Sequence, residues 1–166
     1  RKSWRREKVA IGTAVDPYQP LEGRYRITRG ILEALRDHWT PCSIVTTNTL
    51  ILRDLDILQE LAQGPGCTVM FSVTTVDPEL AAKLEPDTPP PAQRLGALRR
   101  LRAAGVEAGV MAAPVLPGLT DSRKQLEAVF QAAAFHGAQF CRVGVLRLEG
   151  SVRPVYEGFL DREAPY

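Results

Sequence analysis

Five short apolar runs punctuate the chain, and each is followed by a stretch whose apolar residues recur at helical spacing. The runs cover residues 8–13 (KVAIGT), 42–47 (CSIVTT), 67–75 (CTVMFSVTT), 106–114 (VEAGVMAAP) and 139–148 (QFCRVGVLRL). They are rich in Val, Ile, Phe and Thr and alternate little between apolar and polar positions. Strands of a parallel sheet covered on both faces read this way. Their starts recur at intervals close to the ~30 residues of a strand–helix–strand unit.

The intervening segments carry helix signals. Thr28 is placed to cap a helix running to about Trp39, with Ile31, Leu32 and Leu35 on one face. Thr49 is placed to cap the next, where Leu52, Leu55, Leu58 and Leu61 form a stripe. Asp77-Pro78 reads as a cap followed by proline in the first helical position. The Pro-rich residues 85–91 interrupt the chain before a helix over 93–104, with Leu95, Leu98 and Leu101 inward and Gly105 as its stop. Asp121 is placed to cap a last long helix ending near Gly137. The tail after Leu148 reads as irregular, with a helical turn only over 156–162.

Strand alternating with helix predicts a parallel α/β fold. A complete eight-stranded barrel takes about 250 residues, more than the 166 present. An incomplete barrel and a doubly wound sheet both fit that length. No internal repeat or linker divides the chain, so residues 1–166 are expected to form a single domain.

Composition narrows the function classes. At 45% apolar and 24% charged the chain reads as globular. Lys plus Arg total 21 against 19 for Asp plus Glu, a net +2, so charge supports neither nucleic-acid nor anionic-membrane binding. No apolar run approaches the ~20 residues needed to cross a bilayer, and no secretory signal is visible. Cys42, Cys67 and Cys141 are odd in number and far apart, with neither a disulfide framework nor a clustered metal motif. A reducing, cytoplasmic setting is expected. The start at Arg1 without Met suggests a piece of a longer protein.

Parallel α/β folds bind ligands at the carboxyl ends of their strands. Those ends are rich in Thr, Ser, Asn, Gly and Pro here, with a few carboxylates. Several candidates have a structural reading. Asp77 and Asp121 suit helix caps, Asp54 and Asp56 suit the positive end of a helix dipole, and His38 and His136 suit helix C-termini. The Arg99-Arg100-Arg102 cluster suits a solvated face. No P-loop or dinucleotide fingerprint occurs, which argues against nucleoside-triphosphate and nicotinamide chemistry.

The strings GTAVDPYQPLEGRYRITRGILEAL, TNTLILRDLDILQEL and FSVTTVDPELAAKLEPDTPPPAQRLGALRRLRAAGVEAGVMAAPVLPGLTD together resemble the radical S-adenosylmethionine superfamily, in its branch related to spore photoproduct lyase. The resemblance runs from about Val9 to Leu148. It implies a partial (β/α) TIM-like barrel that holds a [4Fe-4S] cluster and S-adenosylmethionine at its mouth. A C-x-x-x-C-x-x-C loop supplies three thiolates, and one-electron cleavage of the sulfonium yields a 5′-deoxyadenosyl radical.

Carried over by position, Gly12, Thr13 and Ala14 resemble the segment that meets the methionine amino group. Asp16 and Gln19 follow on the same loop. Ser72 and Thr74 resemble residues that contact ribose or carboxylate. Arg94 is placed like a basic residue that pairs with the methionine carboxylate, where a planar fork suits bidentate binding. Ala112, Ala113 and Pro114 resemble the strand end that accommodates adenine, and residues 145–147 the next one.

Two departures stand out. The C-x-x-x-C-x-x-C loop is absent, and the first run matches the family's second strand, so the first βα unit is missing. Thr47 stands where relatives often have Lys. This implies no metal ligands, an inactive fragment with no cofactor bound, and an exposed edge strand prone to dimer pairing. The substrate, and whether the parent is a lyase or an oxidoreductase, are not implied. An aldolase-type or phosphate-binding barrel predicts a catalytic Lys or a Gly-rich phosphate loop, and neither is found. A non-catalytic binding or scaffold module predicts a parent gene without cluster cysteines.

Overall fold

The computed structural model describes residues 4–163. Five strands, β1 (Val9–Ile11), β2 (Cys42–Thr46), β3 (Cys67–Ser72), β4 (Glu107–Val115) and β5 (Cys141–Val145), form one sheet. All pair in parallel, and their order in space is their order in sequence. A doubly wound sheet reverses its strand order at a switch point. This sheet winds one way only, which selects the partial barrel of the two architectures the length allows.

The crossovers contain α1 (Glu22–Tyr25) and α2 (Ile27–Asp37), then a 3₁₀ turn (Thr49–Asp54) leading into α3 (Leu55–Gln63). α4 (Pro78–Leu84), α5 (Pro91–Ala103), α6 (Arg123–Phe135) and α7 (Val152–Glu163) follow. Cys42, Ile44, Cys67, Val69, Phe71, Ala108 and Val110 pack against Leu32, Leu58, Leu61, Leu98 and Leu101 in one core. On the opposite face Ser43, Val45 and Ser72 are only half-buried. The unalternating runs therefore reflect one face packed on helices and another turned to the barrel interior.

Several helix starts differ from expectation. Thr28 lies inside α2: its amide donates to Glu22 Oε2 (3.0 Å) and its hydroxyl to Pro17 O, while the helix is entered through Arg26 at φ 52°. Asn48, not Thr49, caps the 3₁₀ turn by accepting from the Leu50 amide. Ser122, not Asp121, caps α6 through Gln125 N. At the 3₁₀ turn and α6 a neighbouring polar side chain, one position earlier in the first case and one later in the second, reaches the free amides first, whereas α2 is entered without a side-chain cap. Asp77 does cap α4, accepting from Glu79 and Leu80. The tail expected to be irregular forms α7, because Val152, Tyr156 and Phe159 recur at helical spacing and turn toward β4 and β5. Residues 164–166 of that tail lie outside the described residues.

Candidate functional site

Parallel pairing puts the carboxyl ends of all five strands on one rim, and that rim collects the sequence candidates. Beyond β1, Gly12 has φ +86°, and a Cβ there would lie 2.1 Å from Val45 O. Only a residue without a side chain lets this turn press against β2. Thr13 and Ala14 follow, exposed. Asp16 then folds back on the strand ends. Its Oδ1 accepts from Tyr18 N (2.8 Å) and Thr46 Oγ1 (2.7 Å), and its Oδ2 from Thr47 N (2.7 Å) and Thr47 Oγ1 (2.8 Å). The carboxylate thus ties the loop after β1 to the end of β2.

At β3 and β4 the arrangement is different. Ser72 Oγ donates to Ala113 O (2.8 Å), and Thr74 Oγ1 reaches the same carbonyl at 3.4 Å. Arg94, in the first turn of α5, is 1% exposed. Its Nε donates to Pro89 O (2.7 Å), Nη1 to Ser72 O (2.9 Å) and Glu85 Oε2 (2.8 Å), and Nη2 to the Thr88 hydroxyl. The guanidinium that sequence reasoning aimed at a cofactor carboxylate is committed to the loop between α4 and α5. Glu85 and Thr88 were not singled out from sequence, although the Leu-Glu-Pro segment containing Glu85 was part of the resemblance.

Between these strand ends and α7 lies an open cleft of about 500 Å³. Thr74, Glu85, Pro114, Leu116, Leu146 and Tyr156 line it. Tyr156 Oη donates to Pro117 O (2.7 Å), pinning α7 over the end of β4. Of the candidates, Thr74, Pro114 and Leu146 (within the 145–147 strand end) border the cleft. Gly12, Thr13, Ala14 and Asp16 stand at the β1–β2 end of the same rim. Tyr156 was missed because the cleft exists only once α7 folds back, though the spacing of Val152, Tyr156 and Phe159 was a usable signal. The mostly apolar walls with a few fixed polar atoms suit a ligand with an aromatic ring and a polar end.

The cysteines stand at the opposite end. Cys42, Cys67 and Cys141 are each the first residue of a strand. Among the described residues no group of three or more His, Cys, Asp or Glu is placed to hold a metal ion. The rim cleft has room for a small organic ligand, whereas the three described cysteines are too far from it to serve there as a cluster ligand set.

Behind the first loop an ion-pair network buttresses the rim. Arg53 pairs with Glu22 (2.9 Å) and with Asp54 (2.7 Å), and Arg29 with Asp54 (3.2 Å) and Asp56 (2.7 Å). Burial pushes the Glu22 carboxyl up, but the Arg53 guanidinium and the Thr28 amide outweigh it and hold it below its ordinary value. Burial pushes the Tyr18 phenol far above its usual value, and Asp54 adds to this.

Comparison with known proteins adds to this geometry. The family model described as the radical SAM superfamily matches residues 2–129. An uncharacterized protein of Mycobacterium tuberculosis is 46% identical over 165 residues, 99% of this chain and 48% of that one. An uncharacterized protein of Acidianus two-tailed virus is 31% identical over 136 residues, 80% of this chain and 44% of that one. The chain thus spans about half the length of the curated relatives it matches. Among solved structures, a spore photoproduct lyase with bound AdoMet and dinucleoside spore photoproduct superposes with a TM-score of 0.66 at 17% identity, covering 96% of this chain and 46% of that one. Streptococcus suis SuiB bound to S-adenosylmethionine gives 0.61 at 14%, covering 93% of this chain and 35% of that one. At such identities the likeness is one of fold. Among the described residues no helix is long and apolar enough to cross a membrane.

Proposed function

The chain belongs to the radical SAM superfamily, and on that premise we propose that it forms most of the catalytic barrel of an enzyme that cleaves S-adenosylmethionine reductively. The observation that carries this reading is the shared rim: the Gly12 turn, the Ser72 and Thr74 hydroxyls and the Ala113-Pro114 strand end lie at one end of a one-way parallel sheet, and an apolar cleft opens at the Thr74 and Pro114 part of it. Bound together, the cofactor and a [4Fe-4S] cluster supply a one-electron cleavage of a sulfonium bond.

This chain's residues supply binding and shape. The exposed Thr13 and Ala14 backbone meets the methionine end, held in place by Gly12 and Asp16. Ser72 and Thr74, whose hydroxyl protons go to Ala113 O, would have lone pairs left to accept from a ribose, and the apolar Pro114, Leu116 and Leu146 would exclude water from the base. Asp16 and Arg94 act as positioning residues, since their polar atoms are engaged within the protein. Fixing donors on rigid strand ends is what such a site needs, because preorganised dipoles are not reoriented during the reaction. The cluster thiolates would come from chain beyond this stretch, because its own cysteines stand at the far ends of the strands.

The test is anaerobic purification of the protein with its cluster-loop cysteines, followed by reduction with dithionite. A cluster absorption band and release of 5′-deoxyadenosine are expected, and the 166-residue stretch alone should release none. A longer protein that keeps the cysteines yet shows neither signal would overturn the reading.

A further inference from the structure

Cys42 and Cys67 have no part in the chemistry above, yet their placement is specific. They are register partners on adjacent parallel strands, each at the first position of its strand. Both side chains turn to the helix-covered face, and their Sγ atoms are 3.7 Å apart. Neighbouring strands lie about 4.8 Å apart, inside the Cα separation of roughly 4.4–6.8 Å that a disulfide tolerates. Bond formation needs the sulfurs to close from 3.7 Å to about 2.05 Å.

The surroundings permit that movement. Gly66, with φ +111°, immediately precedes Cys67, so the chain enters the strand through a residue free of side-chain strain. Cys42 is fully buried and Cys67 is 4% exposed, so an oxidant reaches the pair only through local opening at the strand starts, which favours one as small as hydrogen peroxide over a protein. Lys8, whose Nζ donates to Thr68 Oγ1 (3.2 Å), adds positive charge near both sulfurs. Contact with Cys67, outweighing burial and helped by Lys8, brings the Cys42 thiol below its ordinary value. The same contact and burial push Cys67 up. One thiol is thus disposed to ionise while its neighbour keeps its proton.

We propose that Cys42 and Cys67 form an intramolecular disulfide when the protein meets hydrogen peroxide, a modification site at the end of the barrel opposite the rim. The Cys42 thiolate takes one oxygen from peroxide, giving a sulfenic acid and hydroxide. Cys67 sulfur then attacks the Cys42 sulfur, and the sulfenic hydroxyl leaves as water with the Cys67 proton. Two thiols are oxidised by two electrons, and the peroxide is reduced to two waters. The link joins β2 to β3 across the whole α3 crossover and shuts a loop in the unfolded chain.

The test treats the 166-residue chain with hydrogen peroxide, alkylates the remaining thiols in denaturant and maps peptides without reductant. The expected result is a Cys42–Cys67 linked peptide, loss of both remaining alkylatable thiols in the variant Cys141→Ser, a raised urea midpoint and full reversal of the link by dithiothreitol. The variant Cys141→Ser should keep the link. The proposal is overturned if Cys42 and Cys67 are both alkylated after exposed Cys141 has been oxidised, or if cross-links run only through Cys141. None of these readouts involves S-adenosylmethionine or a cluster, so they stand or fall apart from the proposed activity.

Discussion

The two halves of the rim are built on opposite electrostatic plans. At β1–β2 a carboxylate is the hub: Asp16 gathers donors from Tyr18, Thr46 and Thr47. At β3–β4 a cation is the hub: Arg94 sends its donors outward to Pro89, Ser72, Glu85 and Thr88. Both charged residues were candidates for touching a ligand, and both are taken up in holding loops. A buried charge is tolerable only when its partners are supplied. What the fasteners leave at the rim is small and neutral: the exposed Thr13, Ala14 and Pro114, with Thr74 on the cleft wall.

Substitutions break the comparison at different depths. Gly12→Ala should be the most damaging, by about 4 kcal/mol, because a left-handed alanine is strained and its Cβ overlaps a backbone oxygen that cannot move freely. Urea unfolding checks this; a loss below about 1 kcal/mol would show that the turn relaxes easily. Arg94→Ala should cost about 3 kcal/mol by stranding Glu85 and three oxygens. Arg94→Lys should recover only a part, since an ammonium lacks the planar fork.

Asp16→Asn should cost about 2 kcal/mol, as one carboxylate oxygen becomes a donor facing donors. If Asp16 is a positioning residue, this variant should also weaken S-adenosylmethionine binding in calorimetric titration, and restoring stability with an osmolyte should not restore affinity. Ser72→Ala should be mildest, about 1 kcal/mol, because Thr74 still reaches Ala113 O.

A pH series sharpens the contrast further. Glu22, next to the carboxylate-centred half, is held below its ordinary value of 4.5. A depressed folded value stabilises above the unfolded one, so this contribution is complete at neutral pH and fades as pH falls below about 4.5 through the folded value. Glu22→Gln should flatten that part of the stability profile. An unchanged acid limb would mean the Arg53 pair contributes nothing there.

Much of this was legible in the residues. The five strands announce themselves because β-branched runs are recognised by local composition, and Asp77-Pro78 because a cap is a local contact. Helix entries at Thr28, Thr49 and Asp121 misread by one or two positions, since several polar side chains compete for the same free amides and only coordinates show which arrives. α7 was missed as a full helix because its weak apolar stripe is rewarded only by the cleft it closes.

Residue order alone was enough to establish the alternation of strand and helix and the small polar character of the strand ends, both of which depend on neighbours close in the chain. The choice of a one-way barrel arc over a doubly wound sheet, the engagement of Asp16 and Arg94 within the protein, and the meeting of Cys42 with Cys67 came from folding. Each depends on residues far apart in sequence competing for the same space, charge or hydrogen bond, and such competition is settled only when the chain closes on itself.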